Sequence, residues 1–214
     1  PLYEQSLADS VRVLGPDHPD TLLARNNLAG AYGTAGDLER AIPLYEQSLA
    51  DSVRVLGPDH PDTLLARNNL AGAYESAGDL TRALSLYEHT LADSVRVLGP
   101  DHPDTLLARN NLAGVYAMAD NVEPAIALYE RTLVDRVRVL GASHPHTLTS
   151  QGNLAGAYAL AGDLARAVSL YEQTLAEGAR ILGEQHPMIQ GIRNNLAYWR
   201  DKARSKHVDT STDS

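Results

Sequence analysis

Residues 2–32 read LYEQSLADSVRVLGPDHPDTLLARNNLAGAY, and residues 44–74 repeat those 31 letters without a single change. The same frame returns with substitutions from Leu86, Leu128 and Leu170, so the period is 42 residues throughout. A strict period of about 20 to 50 residues is typical of repeat arrays, in which each unit buries its apolar face against its neighbours. The sequence therefore predicts a repeat array.

Each repeat carries the signals of two helices. In the unit 15–56, Pro19 suits the first position of a helix, where its missing N–H costs nothing. Gly36 ends that helix, and Asp37 is positioned to cap the next one, which runs up to Gly57. Apolar residues at helical spacing mark one face of each segment. The repeat is therefore predicted to be a helical hairpin, and the fold class to be all-α.

The predicted organisation is a single array over residues 1–204. It consists of a partial repeat with a second helix only, four full repeats and a terminal capping helix, followed by a polar tail that composition predicts to be disordered. These segments are, in order, 1–14, 15–56, 57–98, 99–140, 141–182, 183–204 and 205–214. Asp120 replaces a turn glycine and Asn121 a capping aspartate, and both replacements are expected to preserve the local structure.

Composition restricts the classes of partner. The formal charge of -9 argues against nucleic acid or an anionic membrane surface as the main partner. The absence of cysteine excludes disulfides and thiolate chemistry. No apolar run reaches the roughly 18 residues of a membrane span, and no signal peptide opens the chain. We therefore expect a cytoplasmic protein, and the preference for arginine over lysine indicates a bacterial source.

The segment NLAGAY at 27–32, with Gly36, Ala41 and Tyr45 after it, resembles the tetratricopeptide repeat. The eight residues beyond the usual 34, the loop LGPDHPDT and the asparagine pair are similar to the repeats of kinesin light chain and its bacterial relatives. The resemblance covers nearly the whole chain. It implies a right-handed α-solenoid of stacked antiparallel helix pairs, whose first helices line a concave, peptide-binding face.

An asparagine pair that recurs once per repeat is the main functional signal. A carboxamide offers both a donor and an acceptor, so it can bind a peptide bond without reading the side chain. We expect the outer member, Asn26, to contact a ligand, whereas for the inner member, Asn27, ligand contact and bonding to a neighbouring helix are both open. Glycines such as Gly30 are expected to keep the groove floor low. The predicted ladder comprises Asn26, Asn27, Asn68, Asn69, Asn110, Asn111, Asn153 and Asn194.

Positions that differ between repeats are expected to set the selectivity of this groove. Glu75 is acidic, whereas Met118 and Leu160 make the groove more apolar in the later repeats. Arg67 and Arg109 flank the asparagines and are expected to add positive potential. The pattern thus predicts an extended ligand with an apolar anchor near Met118 and Leu160 and acidic residues elsewhere.

The sequence contains no pattern that predicts catalysis or a cofactor. One histidine recurs per repeat, but packed helices are about 10 Å apart, too far for ligand nitrogens that must each lie about 2.1 Å from one metal ion. We expect these histidines to cap the first helices. No GxxxxGK[ST] loop and no nucleophile motif is present, so the chain is not expected to be an enzyme. The recurring residues are His18, His60, His102, His144 and His186.

The sequence thus predicts a protein-interaction scaffold that binds an extended peptide or a partner protein in its concave groove. One alternative is a self-assembling module, because near-identical repeats can also stack end to end between molecules. A second alternative, implied by the resemblance to bacterial arrays, is the sensor part of a larger signalling ATPase.

Overall fold

The computed structural model describes residues 2–212, and the side chains of residues 2–205. This part of the chain forms ten α-helices and contains no β-strand. The helices are α1 (Leu2–Leu14), α2 (Pro19–Thr34), α3 (Leu38–Leu56), α4 (Pro61–Ser76), α5 (Leu80–Val97), α6 (Pro103–Met118), α7 (Val122–Leu140), α8 (Pro145–Leu160), α9 (Leu164–Leu182) and α10 (Pro187–Thr212). Each full repeat therefore contributes a first helix of even number and a second helix of odd number.

The helix boundaries follow the signals that recur in the sequence. His18 precedes α2, and its Nδ1 accepts a hydrogen bond of 3.2 Å from the backbone N–H of Asp20. Gly36 has a positive φ of 78°, which a residue without a Cβ adopts at no steric cost. Asp37 then caps α3 by accepting the backbone N–H of Arg40. The predicted helical hairpin is confirmed.

The departures in the third full repeat have different outcomes. Asp120 adopts a φ of 62°, so it takes over the left-handed conformation of the turn glycine, as expected. Asn121 occupies the cap position but makes no capping hydrogen bond with its side chain, so the cap expected there is wrong. The reason is Pro124, three residues later, because proline has no N–H to donate.

The chain divides into two compact units, Pro1–Val115 and Tyr116–Ser214. In the first unit, the helices from α1 to α5 pack in sequence, and α2 also contacts α4. In the second unit, α7 to α10 pack in sequence, and α8 also contacts α10. Fully buried alanines such as Ala29, Ala71 and Ala155 lie in first helices, where small side chains permit close approach of the neighbouring helix.

The last helix is longer than expected. α10 continues to Thr212, whereas composition predicts a disordered tail over 205–214, of which residues 213 and 214 lie outside the described part. Extending a helix that has already formed costs far less than nucleating one, which favours continuation through polar residues. Among the described residues, no helix combines the length and the apolar character needed to cross a membrane.

Candidate functional site

A groove of about 440 Å³ lies in the first unit, along the first helices α2, α4 and α6. Its lining combines small residues with amides and hydroxyls, and none of the described residues that line it is charged. The groove therefore offers neutral hydrogen-bonding groups on a low surface. Its lining residues are Gly30, Gly33, Thr34, Leu38, Tyr45, Asn68, Asn69, Gly72, Ala73, Ser76, Tyr87 and Asn111.

Two glycines of the first helices make room for tyrosines of the second helices. A Cβ added to Gly30 would lie 3.2 Å from the hydroxyl oxygen of Tyr45, and one added to Gly72 would lie 3.3 Å from that of Tyr87. The space above each glycine is thus occupied by a tyrosine hydroxyl of the same repeat. This corrects the expectation that the glycines leave the space free for a ligand, and it explains how the hydroxyls reach the groove wall.

The asparagines form hydrogen bonds between repeats. Asn69 donates from Nδ2 to Oδ1 of Asn26 over 3.4 Å, and Asn111 donates in the same way to Asn68 over 3.2 Å. The outer members, Asn26 and Asn68, are only 8% and 9% exposed. The outer asparagine is therefore the buried one of the pair, which does not favour the ligand contact expected of Asn26.

The geometry of a helix explains this exchange of roles. Adjacent residues point about 100° apart around the helix axis, so two neighbouring asparagines differ in how far they are buried, although Asn68 and Asn69 both line the groove. The inner members Asn69 and Asn111 are half-buried and lie in the groove wall, while Asn27 is exposed. Of the two readings left open for the inner member, the bond to a neighbouring helix is present in Asn69. Asn69 also borders the groove, and its contact with a ligand stays a prediction.

The other predicted ladder members lie elsewhere. Asn110 is buried in α6. Asn153 is half-buried and Asn194 is exposed, and both belong to the second unit. Gly152 takes the place of the outer asparagine in that repeat. Ligand contact by Asn110, Asn153 and Asn194 stays a prediction.

The arginines beside the asparagines bond to groups that do not line the groove. Nη1 of Arg67 lies 2.6 Å from Asp93 on α5, and Asp93 also accepts from Arg96 over 2.9 Å. Arg109 is 3% exposed, and its Nη2 lies 3.5 Å from the carbonyl oxygen of Pro100. Neither Arg67 nor Arg109 lines the groove, so the structure gives no support to the positive potential expected from them.

Glu75 is the predicted selectivity residue that the structure places beside the groove. Its Oε2 accepts a hydrogen bond of 3.0 Å from the hydroxyl of Tyr87, which is part of the groove wall. Burial raises the pKa of the Glu75 carboxyl above its ordinary value, and the Tyr87 hydrogen bond offsets part of that rise. Met118 and Leu160 are each 56% exposed and belong to the second unit.

A recurring group around the tyrosines of the first helices was not foreseen from the sequence. The hydroxyl of Tyr74 donates to Glu46 on the preceding second helix, and the guanidinium of Arg82 lies 4.1 Å above the Tyr74 ring. Arg82 also pairs with the capping Asp79. The fixed spacing of these four residue types, repeated around Tyr32 and Tyr158, was the signal available in the sequence.

A second cavity of about 410 Å³ lies in the same unit and is mostly apolar. It is formed by α3, α4 and α5, and it shares no lining residue with the groove. Exposed Ser85 of α5 lies at this cavity, as exposed Ser76 of α4 lies at the groove. The two serines therefore mark two separate surfaces. The lining residues are Glu46, Leu49, Ala50, Leu70, Tyr74, Arg82, Ser85 and Leu86.

The histidines act as helix caps, as expected. In each of the five positions, Nδ1 lies 3.2 Å from the backbone nitrogen two residues later, so this nitrogen must carry the lone pair. Among the described residues, no three histidine, cysteine, aspartate or glutamate side chains are grouped as a metal ion would require. The recurrence of histidine is thus explained by local structure.

Solved structures of known proteins resemble this chain over most of its length. The crystal structure of a kinesin light chain protein from Podosopora anserina, with nearly identical TPR-like repeats, is 30% identical and has a TM-score of 0.75. The match covers 91% of this chain and 92% of that one. BtubC (BKLC) from P. vanneervenii is 22% identical with a TM-score of 0.79, over 99% of this chain and 90% of that one, which shows a common fold. The comparison with curated proteins gives no significant match.

The family assignment rests on the repeats themselves. A tetratricopeptide repeat model matches residues 1–52, 35–93, 62–133 and 126–176, which together cover most of the chain. The same residues form the alternating first and second helices described above. The helical hairpins, their period and this match agree, and the chain belongs to the tetratricopeptide repeat family.

Proposed function

We propose that this chain is a protein-interaction scaffold, and that the groove of its first unit binds an extended segment of a partner protein. Membership of the tetratricopeptide repeat family supports the general role. The neutral, hydrogen-bonding lining of the groove supports the specific site and is the observation that carries the proposal.

The inner asparagines supply the required chemistry. A carboxamide has two N–H donors and an oxygen acceptor. The bond from Asn69 to Asn26 uses one N–H, which leaves the second N–H and the oxygen for a ligand, and the same holds for Asn111. An extended peptide exposes main-chain N–H and C=O groups that need such partners once they leave water.

The low surface of the groove makes this contact sterically accessible. Gly33 and Ala73 lie among the lining residues, and they carry little or no side chain. A peptide backbone can therefore approach the helices closely, while the asparagine amides hydrogen-bond to its main-chain N–H and C=O groups. Recognition of this kind binds main chain and leaves side-chain preference to the few positions that differ between repeats.

A steric block of the groove tests the proposal. Exposed Ser76 lines the groove, so Ser76→Tyr should fill it without disturbing the core and should weaken binding by about tenfold or more. Ser85→Tyr is the matched control, because it introduces the same side chain at the separate apolar cavity. The measurement is fluorescence-polarisation titration with capped peptides selected from a random dodecapeptide library by the unmodified chain.

Peptide binding by the two tyrosine variants distinguishes the groove from other sites. Binding that falls in Ser76→Tyr and persists in Ser85→Tyr supports the groove as the site. Equal binding by both variants places the ligand elsewhere, and the absence of any selected peptide argues against peptide binding altogether. Circular dichroism of both variants controls for loss of fold.

A further inference from the structure

We propose that Glu75 makes the groove selective for a ligand with a cationic side chain, lysine or arginine, held at the second repeat. This inference rests on the proposed function, since it names the class of segment that the same groove prefers. The proposed cationic ligand differs from the one expected from the sequence, which was to carry acidic residues and meet the positive potential of Arg67 and Arg109.

The charges around the groove favour a cation. The described lining residues are neutral, and Arg67 forms an ion pair with Asp93. The carboxylate of Glu75 lies beside the groove, 3.0 Å from the hydroxyl of Tyr87 in the groove wall. A ligand charge at this point of the groove therefore meets a negative neighbour.

Glu75 lacks the counter-charge that other half-buried carboxylates of this chain possess. Asp51 pairs with Arg25 and Arg54, and Asp93 pairs with Arg67 and Arg96. No ion pair of the described residues includes Glu75, whose hydrogen-bond donor is the neutral hydroxyl of Tyr87.

An unpaired carboxylate that is partly removed from water is destabilised, and a cation brought beside it relieves that cost. The raised pKa of Glu75 agrees with this environment, since burial is its main cause. A guanidinium or ammonium group on the ligand would supply charge-assisted hydrogen bonds at the place where the protein itself supplies one neutral donor.

The duplicated repeat contains its own control. Residues 2–32 and 44–74 are identical, and the first difference after them is Gly33 in one copy and Glu75 in the other. Tyr45 and Tyr87 lie in the same groove wall, but the position beside Tyr45 carries no acid. Of these two similar sites, only the one in the second repeat has an acidic group.

The test compares charged and neutral forms of the same ligand. Peptides selected from the library by the unmodified chain are resynthesised with citrulline for each arginine or acetyl-lysine for each lysine, which removes the charge and largely preserves shape. At the decisive position we expect this change to weaken binding to the unmodified chain about tenfold, and to Glu75→Gln less than twofold. Glutamine still accepts the Tyr87 hydroxyl, so the fold should be unaffected.

A gain-of-charge variant provides the second arm. Gly33→Glu places a carboxylate beside Tyr45, and the nearest atom to a Cβ there is the Ala41 Cβ at 3.9 Å, an ordinary contact. This variant should bind peptides with two suitably spaced cations about tenfold more tightly than the unmodified chain. Equal affinity would contradict the assignment of charge selectivity to this helix position.

The outcomes separate the two proposals. If peptides bind but show no loss on neutralisation, or the same loss in Glu75→Gln, the cationic preference is overturned while the groove remains the site. If Ser76→Tyr also leaves peptide binding unchanged, the proposed function fails, and the inference fails with it.

Discussion

At the residue scale, identical residue types have different roles because their neighbours differ. Gly72 faces the hydroxyl of Tyr87, which is 2% exposed and also bonded to Glu75. Gly33 lies in an equally regular helix, but its nearest neighbour is the small Ala41. A Cβ at Gly72 would therefore make a tight contact with Tyr87, whereas glycine at position 33 weakens the helix without a steric reason.

This contrast predicts opposite effects of the same substitution. Gly33→Ala should raise the free energy of unfolding by about 0.5–1 kcal/mol, because alanine favours the helix and its Cβ fits. Gly72→Ala should lower it by about 1 kcal/mol, because Tyr87 cannot yield without loosening its hydrogen bond. Urea denaturation followed by circular dichroism measures both, and equal stabilisation by the two alanines would show that the tyrosine yields.

At the element scale, three second helices, α3, α5 and α9, share a cap that involves two positions. Asp37, Asp79 and Asp163 each accept the N–H of an arginine three residues later, and the arginine side chain also pairs with the cap. In α7 the corresponding pair is Asn121 and Pro124, so the cap bond is missing. Proline in the first turn is compatible with a helix, but here it removes the donor that the cap uses.

Restoring that donor should stabilise α7. Pro124→Ala supplies the N–H alone, and we expect a gain of about 0.5–1 kcal/mol in the free energy of unfolding. Pro124→Arg adds the side chain found in the other repeats and should gain at least as much. The comparison variant is Pro124→Ala combined with Asn121→Ala, in which the gain should largely disappear. Thermal melts of the three variants measure the change in stability. If the double variant keeps the full gain, the gain comes from the helix propensity of alanine and not from the cap.

At the scale of the whole molecule, the net charge of -9 coexists with ion pairs built into the repeats. In the second repeat, Arg67 pairs with Asp93, which pairs with Arg96, which in turn pairs with Asp59 before α4. The first repeat has the same arrangement between α2 and α3. Because an array gains stability from each repeat and each interface, recurring pairs act on the whole chain together.

These pairs predict how stability depends on pH. Hydrogen bonds from Arg96 and Arg67 lower the pKa of the Asp93 carboxyl from its ordinary value of 3.8, and Arg96 lowers the pKa of Asp59 similarly. A carboxyl whose pKa is lower in the folded than in the unfolded chain stabilises the fold at pH values above its unfolded-state pKa. That contribution is lost as the pH falls through the folded-state pKa. We therefore expect urea midpoints to be nearly constant from pH 7 to 5 and to fall below about pH 4.

A single variant isolates the contribution of this network. Asp93→Asn should lower the midpoint at pH 7 and should make the decrease between pH 5 and 3 smaller than in the unmodified chain. The pKa shift of Glu75 has the opposite sign, and a raised pKa favours the folded state at low pH. Glu75→Gln should therefore not reduce the decrease of the urea midpoint between pH 5 and 3. An Asp93→Asn chain with an unchanged pH profile would show that other carboxylates cause the acid sensitivity.

The sequence by itself determined the repeat period, the helix boundaries and the caps. These features are local: a proline, a glycine with positive φ or a capping aspartate acts within a few residues of its own position. The all-α class and the family resemblance followed from their regular recurrence. Where a local expectation was wrong, as at Asn121, the cause was also local and could be read from Pro124.

The tertiary structure alone decided which side chains share the groove. Asn26 and Asn69 meet although 43 positions separate them, and Arg67 turns to Asp93 instead of the asparagines beside it in sequence. Such choices depend on how each helix is rotated about its axis against its neighbours, and adjacent residues differ by about 100° in that rotation. Periodicity locates a helix face only approximately, so the partner of each polar group appears only when the helices are packed.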